Sequence, residues 1–248
     1  MQSRPAEGSR AGLDGNVAGG STRNRLLQRL PGDELELLFS RSELVAIKTK
    51  DLIWESDGLI TNVFFPEDAI ISLVTQMKDG SGVEAMTIGN DGFAGLAVFH
   101  GLDSTQCLAC GQISGQARRL SSEGFRHLLP EMPSLTRILH QYSHLVFEIV
   151  SQAAACNRLH VIEERCARWL LMSQDRVGRP KFDLTQEFLA EMLGVRRPGV
   201  TVAMGILEKQ GLIGHGRGNI TVLDREGLER ASCECYAKIK SRQDKLLS

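Results

Sequence analysis

LTQEFLAEMLGVRRPGVTVAMGILEKQGLI, residues 184 to 213, contains two short helical patterns that meet at Gly194-Val195. In the first, Phe188, Leu189, Met192 and Leu193 recur at helical spacing, and Thr185 stands where an N-cap hydroxyl belongs. In the second, Val200, Ala203, Met204 and Leu207 fall at i, i+3, i+4 and i+7 and form one apolar face. Glycine at the junction makes a left-handed turn cheap, and small Ala190 lets two helices cross closely. This is a helix-turn-helix pattern, whose second helix enters the major groove of DNA. The plainer alternative is an ordinary helical hairpin inside a core.

The second helix has a distinctive outer face. Pro198 suits a first helical turn, where its missing N–H would be unpaired anyway. Arg196 and Arg197 precede it, beside a helix N-terminus that itself attracts phosphate. Opposite the apolar face stand Thr201, Val202, Gly205 and Lys209, mostly small groups that let backbone approach base edges. Downstream, Leu212–His215 and Asn219–Leu223 are short β-like runs around Gly216-Arg217-Gly218, a hairpin signal. A helix-turn-helix followed at once by a hairpin is a winged helix, with Arg217 at the wing tip. The expected DNA contacts are Thr185, Gln186, Arg196, Arg197, Gly199, Thr201, Val202 and Arg217.

With LTQEFLAEMLGV, a polar-basic helix start and ILEKQGLI in place, the chain resembles the Crp/Fnr (cyclic-AMP receptor protein) family of regulators. The resemblance extends over roughly residues 23 to 235 and is strongest in the DNA-binding part. It implies a dimer on double-stranded DNA, and contact with RNA polymerase if the protein activates. By the same resemblance Arg197 occupies a position that reads guanine. Pro198 replaces the glutamate usual at the next reading position, so the preferred half-site should differ.

Composition bounds the rest. At 248 residues the chain has room for two modest domains, and 42% hydrophobic with 24% charged residues is ordinary for a globular protein. The formal net charge is only −1. Residues 161–248 carry 15 Lys and Arg against 12 Asp and Glu, whereas residues 23–160 carry 12 against 16. The basic bias is weak, but it lies with the helix-turn-helix. Residues 1–22 have almost no large apolar groups and read as a disordered tail without a secretory core. No run approaches the roughly 20 apolar residues that cross a bilayer. A leaderless chain with six cysteines implies reduced thiols and a cytoplasmic protein with no membrane partner.

Between Arg23 and Pro133 the texture is β. A short helix is expected over Asp33–Phe39, then strands at Leu44–Ile47, Asn62–Phe65, Ala69–Val74 and Val83–Ile88, separated by Gly, Asp and Pro turns. The spacing suggests an antiparallel sandwich or roll. The resemblance makes it the β-roll sensor, the cyclic-nucleotide-binding fold. Binders of that fold grip the ribose with a Gly-Glu pair and the phosphate with an Arg-Ser or Arg-Thr pair. Here the region reads Gly92–Phe99 and then Ser104–Cys107, with no glutamate at the ribose position and no Lys or Arg between Asp91 and Gly115. A buried phosphate without a cation is strongly disfavoured. The fold is expected without its usual ligand.

The thiols offer a second reading. Cys107-Leu-Ala-Cys110 has redox or metal spacing, but the run reads as a strand, and residues three apart on a strand face opposite ways. His100 alone does not complete four ligands, and Cys233-Glu-Cys235 is equally incomplete in its helical context. No metal and no cofactor are expected. The alternatives are a thiol–disulfide oxidoreductase using Cys107 and Cys110, which requires a helix N-terminus to stabilise a thiolate, and a winged helix that binds protein instead of DNA.

Leu135, Leu139, Tyr142, Val146, Ile149, Ala153 and Cys156 are separated by 4, 3, 4, 3, 4 and 3, an a/d seam over three heptads. A parallel dimer seam serves a reader of two half-sites, with His140 and His144 at its flanks. A single amphipathic helix packed on its own domain has the same spacing. Val161–Val177 is another amphipathic helix, and Asp224 can cap a last helix over Arg225–Leu246. The expected architecture is α+β: a tail over 1–22, an antiparallel β-roll sensor over 23–133, a dimerisation helix over 134–160 and a winged helix over 161–248.

Overall fold

A computed structural model describes residues 21–216 and 218–248. The expected tail lies almost wholly outside the described residues, as does Arg217. The fold is α+β, with antiparallel sheets first, then long helices, then a helix-turn-helix.

Helix α1 (Gly32–Arg41) leads into strands β1 (Glu43–Ile47), β2 (Leu52–Trp54), β3 (Asn62–Pro66), β4 (Ile70–Gln76) and β5 (Gly82–Ile88). A single-turn helix α2 (Leu96–Phe99), strands β6 (Cys107–Ile113) and β7 (Gly115–Ser121), and α3 (Ser122–Leu128) complete the first half. Two antiparallel sheets result, in orders β1-β7-β3 and β2-β6-β4-β5. Central strand β4 buries Ile70, Ile71 and Val74. Between the sheets the space is filled by rings: the Phe65 and Phe93 centroids stand 4.5 Å apart, and those of Phe93 and Phe125 5.1 Å.

Helix α4 (Pro133–Leu159) is 27 residues long, about 40 Å at 1.5 Å per residue. Proline opens it, and the buried Glu34 of α1 caps it by accepting from the backbone N–H groups of Ser134 (2.9 Å) and Leu135 (3.0 Å). Its apolar heptad positions do not face outward. Leu135, Leu139, Tyr142 and Ile149 are buried within this one chain, Val146 packs partly against the same core, and Cys156 is enclosed among other thiols. The expected seam is therefore corrected: this stripe packs on the molecule's own core. A 3,4 spacing selects one helix face and says nothing about what covers it. The face left uncovered carries Phe147 (70% exposed), Val150 (39%) and Ala154.

After α4 the chain turns at His160 into α5 (Ile162–Val177) and then β8 (Lys181–Asp183), α6 (Gln186–Leu193), α7 (Arg197–Lys209), β9 (Ile213–Gly216) and β10 (Asn219–Val222). The last strands form an antiparallel sheet in order β8-β10-β9. The C-terminal helix expected as one piece is two, α8 (Arg225–Ala231) and α9 (Cys235–Leu247), with α9 packed along α4. Asp224 does cap the first of them, accepting from Gly227 N at 2.9 Å. The break follows extended Ser232 and leaves Cys233 buried against Cys156. No helix among the described residues is long and apolar enough to cross a membrane.

Candidate nucleic-acid interface

The helix-turn-helix is built by local chemistry. Thr185 caps α6, its hydroxyl accepting from Phe188 N at 3.2 Å. Gly194 ends the helix at φ 62°, in the left-handed region where a side chain is costly. A Cβ there would come within 2.8 Å of Val83, so the turn also sits directly on β5. Phe188, Leu189, Met192 and Leu193 of α6 and Val200, Ala203, Met204 and Leu207 of α7 are all buried, with Ala190 at the crossing.

That packing determines what α7 shows to solvent. Arg196 occupies its N-cap position, Pro198 lies in its first turn, and Arg196, Arg197, Thr201 and Val202 are all exposed. Gly199 is half-buried, because Ile162 approaches within 3.1 Å of where its Cβ would be. Gln186 is half-buried and its Oε1 accepts from Thr201 Oγ1 at 2.9 Å, which links the start of α6 to the outer face of α7. Seven of the eight expected contact residues are thus placed on or beside this surface; Arg217 lies outside the described residues.

The reader is fastened to the roll by buried polar groups that the sequence did not reveal. Arg176 of α5 donates from Nε to Asp91 at 3.0 Å and from Nη1 to Thr87 at 2.8 Å. Asp91 also receives Gln243 of α9. Trp169 Nε1 donates to Glu84 of β5 at 3.1 Å. Burial pushes the Glu84 carboxyl above its ordinary range.

Gly92 packs so closely under Tyr142 that a Cβ would fall 2.4 Å from the phenolic oxygen. On β7, Arg118 is engaged with Glu67 at 3.1 Å and lies over the Phe39 ring at 3.6 Å.

The thiols sort into two groups. Cys107 and Cys110 both lie on β6, and burial pushes the Cys110 thiol up to about 11. For Cys110 that is the opposite of an activated thiolate, and a strand offers no helix N-terminus of its own to stabilise one. Cys233 and Cys235 are not incomplete, contrary to expectation. The fold brings them to Cys156 and His160, and the four ligand atoms lie within 4.8 Å of one another. Their partners are 77 and 75 residues away in sequence, beyond the reach of any local spacing rule.

A sequence profile described as the Crp-like helix-turn-helix domain matches residues 164–231. No curated protein sequence matches the chain. Solved structures do. FixK2 from Bradyrhizobium japonicum superposes with a TM-score of 0.62 at 15% identity, covering 77% of this chain and 98% of that one. TTHB099, a CRP-family transcriptional regulator from Thermus thermophilus, gives 0.63 at 17% identity over 76% and 96%. The c-di-GMP-responsive global regulator CLP of Xanthomonas campestris gives 0.59 at 12% identity over 77% and 99%. Residues 164–231 thus carry a Crp-like helix-turn-helix domain, set in a chain with the Crp/Fnr-like fold.

Proposed function

We propose that the protein is a sequence-specific transcription regulator that binds double-stranded DNA as a homodimer on an inverted repeat. The observation that carries this reading is the N-terminal end of α7, where Arg196, Arg197, Thr201 and Val202 stay exposed while the helix buries Val200, Ala203, Met204 and Leu207. Arg197 reads guanine through O6 and N7, and Arg196 and Gln186 hold phosphates that set register. Two such helices on a two-fold axis meet half-sites one helical turn, ~34 Å, apart. Contact with RNA polymerase follows if the protein activates.

The second copy docks on the outer face of α4 at Phe147, Val150 and Ala154, whose spacing of 3 and 4 is a heptad seam in its own right. The roll acts as a sensor without a cyclic nucleotide, because the Gly92–Ser104 corner offers neither the acid nor the cation that such a ligand requires.

Selection of bound sequences from a random pool tests the reading, run with and without cyclic AMP. Arg197→Ala should cost roughly 1–3 kcal/mol per half-site and relax preference at one base pair, and cyclic AMP should change nothing. An unaltered base preference would remove Arg197 from the reading role. Absence of any salt-dependent shift by the wild type would favour a protein-binding winged helix. Phe147→Lys should leave a folded monomer with weakened DNA binding; a dimer persisting at micromolar concentration in light scattering would move the seam elsewhere.

A further inference from the structure

We propose that Cys156, His160, Cys233 and Cys235 together hold one mononuclear, thiophilic divalent ion of the zinc class in a closed tetrahedral site. The site is independent of the DNA-binding reading and rests on its own geometry. Cys156 and His160 lie one helical turn apart at the C-terminal end of α4, where His160 is the C-cap residue. Cys233 and Cys235 bracket the start of α9. Cys156 Sγ stands 3.6 Å from Cys233 Sγ, and Cys235 Sγ stands 3.5 Å from His160 Nδ1. A zinc ion with bonds of about 2.3 Å to sulfur and about 2.0–2.1 Å to nitrogen gives a tetrahedron with edges of about 3.8 Å between sulfurs and about 3.5 Å from sulfur to nitrogen. These two separations match those edges, and the other four are no longer than 4.8 Å. An iron–sulfur cluster would spread its thiolates over several irons, which a set this compact does not allow.

The surroundings match a metal site. His160 Nε2 faces Glu234 Oε2 at 3.0 Å, so its proton goes to the carboxylate and the Nδ1 lone pair is left for the ion. Gln152 Nε2 donates to Cys235 Sγ at 3.0 Å. Three thiolates around a divalent ion carry net charge −1. Arg165 and Arg168 answer it: both are buried, neither makes an ion pair among the described residues, and both Nε atoms lack a hydrogen-bond partner. Their charges reach Cys156. Four protein ligands leave no open position, which makes the site structural and not catalytic. Its effect is to staple α9 to the hinge between α4 and α5, holding the reader in its orientation.

The test uses purified full-length protein under reducing conditions. Elemental analysis should find one zinc per chain. Refolding with Co2+ should give the intense visible bands of a tetrahedral ion together with thiolate-to-cobalt charge transfer. Cys233→Ser with Cys235→Ser should lose both signals, and Cys107→Ser with Cys110→Ser should keep both. In case the first variant misfolds, a chelator added to the wild type should lower the melting temperature by several degrees and zinc should restore it. Four results would overturn the site: no bound metal, a weak octahedral cobalt spectrum, iron with acid-labile sulfide, or loss of metal in the Cys107/Cys110 variant.

Discussion

Helix α5 is fastened at both ends by buried arginines, and the two fastenings differ in what answers the positive charge. At the C-terminal end Arg176 meets a carboxylate of the roll, Asp91, with Thr87 beside it. At the N-terminal end Arg165 donates, among the described residues, only to neutral oxygens, Asn157 Oδ1 at 2.9 Å and Leu193 O at 2.6 Å, and Arg168 reaches the sulfur of Met172 at 3.3 Å. Taking a cation out of water is costly unless a negative charge and hydrogen bonds replace the water. One end therefore carries its counterion within the protein's own carboxylates. The other faces thiols, which become anionic when a metal displaces their protons. On this view the roll side of the joint is permanently charged, and the hinge side is conditional on an ion.

The largest effect is expected at Arg176. Arg176→Ala leaves Asp91 buried with, among the described residues, only Gln243 and the Gly89 N–H as donors. Removing one partner of a buried pair costs about 3–5 kcal/mol. The denaturation midpoint should fall accordingly, and hydrogen exchange should rise first where β5 meets α5. A loss below about 1 kcal/mol would mean that water enters the joint and that its charge is not buried in solution.

Which parts of this arrangement were legible in sequence follows from the range over which each is encoded. The helix-turn-helix was legible because its signals are local: a 3.6-residue apolar period, a Thr cap three residues before the N–H that donates to it, and a glycine where φ is positive. The half-buried strand β7 was not. Its only fully apolar inward residues are Ala117 and Leu120, and the arginines between them resemble a loop until Glu67 and Phe39 are folded against Arg118. The α4 stripe was visible but its partner was not, since burial on a roll and burial on a second copy impose the same spacing. The thiol and histidine cluster was invisible for a different reason. Two of its ligands lie near one break and two at the end of a helix far upstream, and only the tertiary fold joins them.

A smaller perturbation of the charged end comes from the roll. A Cβ on Gly89 would fall 2.5 Å from Arg176 Cδ and 2.6 Å from its Cγ. Gly89→Ala thus displaces the guanidinium without removing it. Overpacking of a filled site costs typically about 1–3 kcal/mol. The midpoint should drop less than for Arg176→Ala, and the double variant should be less than additive, because the alanine loses its clash once the arginine is gone. Full additivity would show that Gly89 is constrained by something other than Arg176.

The smallest effect sharpens the middle of the joint and depends on pH. Glu84 Oε1 accepts from Trp169 Nε1, and its Oε2 lies 2.7 Å from Ser72 Oγ, which also lies 2.7 Å from Gln112 Oε1. One hydroxyl proton cannot serve two acceptors. Burial raises the Glu84 carboxyl against the opposing pull of Ser72, Trp169 and the nearby arginines. A proton kept on Oε2 donates to Ser72, which then donates to Gln112 Oε1, so all three oxygens are used, while Gln112 Nε2 stays without a partner among the described residues. With the folded pKa above the unfolded one, the native state binds more protons than the unfolded chain between the two values. Stability from this group therefore falls as pH rises through that window, the reverse of an ordinary paired carboxylate. Glu84→Gln keeps the acceptor for Trp169 and supplies a permanent N–H for Ser72, so it copies the protonated acid. The variant should match the wild type at the acid end of the window and gain on it as pH rises, by at most about 1.4 kcal/mol per pH unit because a single proton is involved. Unfolding free energies of both proteins across that range decide it: a difference that stays flat with pH would place an ordinary, ionised carboxylate between the roll and α5.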